Sequence, residues 1–72
     1  MSKNIYSKDH QRLVQKLKDA RVEAGLSQQD AAELLGKTQS YLSKVEAGQR
    51  QVDIVELKDF ARAYKKKVVF FI

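Results

Sequence analysis

The chain has 72 residues, a net charge of +5, and neither cysteine nor proline. A chain of that length holds one domain, burying only about 60% of the surface it exposes when unfolded, and without cysteine it has no disulfide framework and no thiolate metal site. The longest apolar run, residues 68–72, is far shorter than the roughly 20 residues of a membrane-spanning helix, and no apolar leader stands at the start, so a cytoplasmic location with no membrane partner is expected.

Residues Met1 to Tyr6 show no periodicity and are expected to form a free arm, with Lys3 available to a phosphate or a minor groove. Ser7 is placed to cap a first helix running to about Ala24, with Leu13, Leu17, Ala20 and Ala24 on its apolar face, and Gly25 ends it. His10 is the only histidine, so a metal site would lack ligands and a solvated first-turn residue is expected. Arg21 lies on the same side as Leu17 and Ala24, where an unpaired charge is costly.

Two short helices follow. Ser27 is an N-cap with Asp30 three residues on, Gly36 stops the first run where a left-handed residue is needed, and Thr38 caps the second. Ala32, four residues before Gly36, lets two backbones approach, while Leu42 and Val45, spaced i and i+3, form one inward edge. Gln39, Ser40, Ser43 and Lys44 form the opposite, polar edge. Gln49, Arg50 and Gln51 then make a polar loop, and Asp53 caps a fourth helix with Ile54, Leu57, Ala61 and Tyr64 on one stripe and Phe60 beside it.

The tail, residues 65–72, is three lysines followed by Val68, Val69, Phe70, Phe71 and Ile72. Its β-branched and aromatic content predicts a short strand, and five exposed apolar residues would be an aggregation hazard. Strand pairing with a symmetry mate in a homodimer, or with another protein, is expected, against the alternative of a tail docked on its own helices.

The residues Leu26-Ser27-Gln28, Ala32, Gly36, Leu42, Val45-Glu46 and Gly48, within a span of roughly residues 13–64, together resemble the helix-turn-helix of phage-repressor and Cro-like (Xre) transcription factors. The resemblance implies an all-α, compact four- to five-helix DNA-binding domain over residues 1–72, with its helix-turn-helix at about 27–47. The chain departs from the family's pattern in two places. The Asn-Pro pair often found before the fourth helix is missing, and the strand-like tail stands where family members often carry a further helix.

By position, the resemblance assigns Gln39, Ser40 and Lys44 to base reading, with Ser43 on the same face. Their side chains suit base edges, since glutamine both donates and accepts toward adenine, lysine donates to guanine, and serine serves several bases. Gln28 matches a position where the family clamps a phosphate, and Thr38, Gln49 and Arg50 sit where flanking phosphates would lie. Lys37 is either a helper or a solvated lysine, and Tyr41 can pack its ring against the second helix while its hydroxyl reaches a phosphate. An arginine at position 21 pairs, in this family, with the glutamate at Glu46.

Charge agrees with a polyanionic partner: residues 1–36 carry six basic and five acidic groups, residues 37–72 eight and four, so the excess lies beside and after the proposed reading helix. The leading expectation is a homodimeric repressor bound to double-stranded DNA on the nucleoid. The alternative is an antitoxin-like module that binds a toxin or regulator partner and autoregulates its operon. No catalytic constellation and no cofactor site is expected: the serines have no histidine beside them and no glycine-rich phosphate loop exists.

Overall fold

The protein is described by a computed structural model covering residues 7–72, so the arm expected at residues 1–6, with Lys3, lies outside the described residues. Four α-helices follow one another: α1 (Lys8–Glu23), α2 (Gln28–Leu35), α3 (Gln39–Glu46) and α4 (Ile54–Ala63). Each begins where a short polar side chain accepts a backbone N–H three residues on: Ser7 from His10, Ser27 from Asp30, Thr38 from Tyr41 and Asp53 from Glu56. A cap of this kind contributes about 1 kcal/mol. Only α4 has the reciprocal bond, in which the Glu56 carboxylate accepts the Asp53 N–H at 3.0 Å.

The turn between α2 and α3 is short because Gly36 takes a left-handed conformation (φ 68°) and lets Lys37 N–H reach back to the Ala32 carbonyl at 2.9 Å. This sets the crossing of the two helices. Ala31 and Ala32 are buried, so α2 comes in closely against its neighbours, and Leu17, Ala20, Leu42, Val45, Leu57, Phe60, Ala61 and Tyr64 fill the space between the helices. Phe60 stacks on Tyr41 with centroids 6.4 Å apart, joining α4 to α3.

The helix positions follow the expected order, with differences in detail. Ala24 is exposed because it is the C-cap of α1, and Ile54 is exposed because it is the first residue of α4 and points off the core stripe. Ala31, Val52 and Phe71 join the core instead. His10 is half-buried, not solvated, and lines a shallow groove between α1 and the end of α3.

The tail differs most. Val68–Phe71 is a 3-10 helix, and no strand exists among the described residues. Lys65 takes the left-handed conformation (φ 58°) and Lys66 N–H closes on the Ala61 carbonyl at 2.8 Å, which ends α4 sharply and leads the tail back onto α1 and α4. With no neighbouring strand to form a ladder, the intrinsic β preference of these residues gives way to packing. Phe71 is 3% exposed in the core, with Phe70 meeting it edge-on at 5.0 Å. Lys16 and Lys66 lie over the Phe70 ring, and Lys66 also pairs with Glu23.

Candidate nucleic-acid interface

Helix α3 is anchored on one side and open on the other. Leu42 and Val45 are fully buried, whereas Gln39, Ser40, Ser43 and Lys44 are all exposed. The i, i+4 spacing of Gln39 with Ser43 and of Ser40 with Lys44 aligns them in two adjacent rows, so the exposed surface is a ridge of hydrogen-bonding side chains. Such a ridge can present donors and acceptors to base edges once the helix enters a major groove.

The residues expected to flank this ridge differ in their exposure. Lys37 and Thr38 are exposed just before α3 and Gln49 just after it, while Gln28 and Arg50 are half-buried. The Thr38 oxygen is occupied as an acceptor for the Tyr41 N–H, which leaves its own proton to donate.

Two polar networks hold the flanks. In the first, Arg21 donates through Nε to Glu46 Oε2 at 2.7 Å and through Nη2 to Oε1 at 3.0 Å, and its Nη1 donates to the Leu26 carbonyl at 2.8 Å. Gln28 donates to the same Glu46 Oε1 at 3.1 Å. One carboxylate therefore ties α1, α2 and α3 together, and its side chain is only 4% exposed against 11% for the arginine. The hydrogen bond to Glu46 keeps the Arg21 pKa above its usual value despite burial. The Tyr64 hydroxyl nearby is buried without a hydrogen-bond partner among the described residues, and burial pushes its pKa up.

The second network joins Tyr41, Arg50 and Glu56. The Tyr41 hydroxyl donates to Glu56 Oε2 at 2.9 Å, Arg50 Nη2 pairs with the same oxygen, and the guanidinium lies 4.7 Å from the Tyr41 ring centroid. Lys37 Nζ lies 5.3 Å from that centroid too. Burial pushes the Glu56 carboxyl up, but the Asp53 amide, Tyr41 and Arg50 outweigh it and hold the pKa below the ordinary 4.5. Burial and then the bond to Glu56 push Tyr41 up to about 12, so the phenol stays protonated and its one proton is committed to Glu56. Burial acts to lower the Arg50 pKa, and the Glu56 carboxylate reverses that.

Glu56 is absent from the residues expected at this surface. The Asp53-x-x-Glu56 spacing, a capping-box pattern, is the one sequence signal that points to it. Among the described residues no helix is long and apolar enough to cross a membrane, and no group of acidic, histidine or cysteine side chains could hold a metal ion.

The helix-turn-helix family model matches residues 17–71 of the chain. Similar solved structures include the restriction-modification controller protein C.AhdI of Aeromonas hydrophila, 35% identical, with a TM-score of 0.78 over 83% of this chain and 87% of that one. An XRE-family-like protein of Pseudomonas syringae pv. tomato is 36% identical, with a TM-score of 0.79 over 85% and 74%. A single-substitution variant of the restriction-modification controller protein C.Esp1396I is 27% identical, with a TM-score of 0.82 over 90% and 88%. None of the curated proteins matches significantly. With the polar ridge of α3 mounted on a two-helix unit of this kind, the chain belongs to the Xre-type helix-turn-helix family of DNA-binding transcriptional regulators, which are not enzymes.

Proposed function

We propose that the protein is a homodimeric, sequence-specific repressor that occupies a pseudo-palindromic operator, with half-sites roughly one DNA turn apart. The observation that carries this reading is the division of α3 into an anchored edge, Leu42 and Val45, and an exposed edge of four polar side chains. Gln39, Ser40 and Lys44 read bases, assisted by Ser43. Gln28, Lys37, Thr38, Gln49 and Arg50 set the register on the phosphates; Tyr41, expected to reach a phosphate through its hydroxyl, gives that proton to Glu56 and supports Arg50 and Lys37 with its ring instead. The apolar side chains that the tail leaves outside the core, Val69, Phe70 and Ile72, supply a surface for the second subunit, by side-chain packing and not by strand pairing. Two of the similar structures are named as restriction-modification controllers, which supports control of a small operon in the cytoplasm, on the nucleoid.

Selection of binding sites from a random duplex pool with the purified protein tests this. Enrichment of an inverted repeat is expected. A single unrepeated half-site would overturn the dimer, and no enriched motif would overturn sequence-specific reading in favour of an interaction protein.

A further inference from the structure

The Tyr41, Arg50 and Glu56 network sits beside the exposed face of α3, where a polyanion would arrive, and yet its centre is a carboxylate. Simple electrostatics makes Glu56 a hindrance there: it lowers the local positive charge and repels phosphate. The geometry gives it another task. Glu56 is held firmly, since Oε1 accepts the Asp53 N–H and its own N–H donates to Asp53 Oδ1 at 2.7 Å, so the carboxylate is fixed to the first turn of α4 and is only 15% exposed. Its Oε2 then grips two groups from other elements, the Tyr41 hydroxyl on α3 and one terminal nitrogen of Arg50 in the loop that follows. Tyr41 is in turn held by its stacking on Phe60.

Arg50 belongs to a polar loop, and a loop arginine left to itself samples many rotamers that must be frozen out when it meets a ligand. Here its guanidinium is bonded at one nitrogen and laid against the Tyr41 ring, while the side chain remains 42% exposed. Of the five donors of the fork, one goes to Glu56 and the Nε is buried without a partner among the described residues, which leaves the terminal nitrogens to offer. Lys37 approaches the same ring from the turn before α3 and takes part in no ion pair among the described residues. Two cations thus converge on one aromatic ring, and the Glu56 carboxylate offsets only one of them, leaving the cluster net positive.

We propose that Glu56 is the positioning residue of a phosphate clamp formed by Arg50 and Lys37 around Tyr41: it aims Arg50 at a DNA backbone phosphate before the DNA arrives. The proposal rests on the DNA-binding reading above and adds to it a residue that acts through Arg50. It predicts an inverted sign. Removing a negative charge from a DNA-binding surface ordinarily tightens binding, whereas removing this one weakens it.

The test uses Glu56→Gln, because glutamine at the third helical position keeps the reciprocal cap and the fold. Affinity for a mixed-sequence duplex is followed by fluorescence anisotropy over about 50 to 200 mM salt for the wild type, Glu56→Gln, Arg50→Ala and the double variant. Glu56→Gln is expected to bind about three- to tenfold more weakly, the range for one side chain that must be ordered on binding instead of beforehand. Its salt slope should fall by up to about 0.9, the share of one phosphate contact, although the net charge rises. In the Arg50→Ala background the same substitution should weaken nothing further. Binding by Glu56→Gln as tight as the wild type or tighter, an unchanged slope, or equal weakening in both backgrounds would overturn the proposal. A wild type without salt-dependent affinity for any duplex would instead sink the DNA-binding reading, and the proposal with it.

Discussion

Glu46 receives three side-chain donors from two helices other than its own: two from Arg21 and one from Gln28. With so little of either charge exposed, the pair belongs to the class in which removing one partner strands the other, at a cost of about 3–5 kcal/mol. Glu46→Ala would leave a guanidinium enclosed and uncompensated. In a domain whose whole stability is expected near the lower end of about 5–15 kcal/mol, such a loss empties much of the native population. Urea denaturation of Glu46→Ala should therefore show a much lower midpoint, whereas a loss below about 1 kcal/mol would mean the pair is solvated and contributes as surface pairs do.

The residue scale also shows what a sequence can reveal about partners. Arg21 stands out because its helix period places it beside Leu17, but its partner lies 25 residues away, beyond any periodicity. The likeness to repressors supplied Glu46. The outward-facing residues of α3 were easier to see, since Leu42 and Val45 define its inner side and geometry assigns Gln39, Ser40, Ser43 and Lys44 to the outer one. Glu56 was hidden for the opposite reason: Tyr41 and Arg50 reach it from 15 and 6 residues away through a loop whose path no local pattern specifies.

At the scale of elements, helix starts were legible because all four use a Ser, Thr or Asp cap, and the ends of α1 and α2 were legible because glycine follows them. The end of α4 was not, because Lys65 is the only non-glycine residue with positive φ among those described. For an L-residue the left-handed conformation costs about 1–2 kcal/mol, and glycine avoids it while adding about 0.5–1 kcal/mol of unfolded-state entropy. Lys65→Gly should thus stabilise the domain by up to about 1.5 kcal/mol, raising the thermal midpoint by about 4–8 °C for each kcal/mol gained. Unfolding followed by circular dichroism checks this; a lowered midpoint would mean that the lysine side chain holds more of the tail than its backbone strain releases.

For the whole molecule, the tail decides how a chain of 72 residues closes its core. The local preference of Val-Val-Phe-Phe-Ile for a strand was a true signal about those residues, overruled because one strand alone cannot satisfy its own backbone while Phe71 can fill the space beside α1 and α4. The two arrangements make opposite demands on neighbouring side chains. In a paired strand Phe71 and Ile72 would face opposite sides and both would carry interface energy. In the 3-10 helix Phe71 is buried and Ile72 is 77% exposed. Phe71→Ala should then cost about 3–5 kcal/mol, as buried phenylalanines do, and Ile72→Ala should stay within about 0.5 kcal/mol when denatured at protein concentrations low enough to keep subunits apart. On the proposed dimer, Ile72→Ala should instead weaken self-association at higher concentration, because its exposed side chain belongs to the surface proposed for the second subunit. Equal losses for both substitutions at low concentration would mean that the tail is not folded back on its own helices.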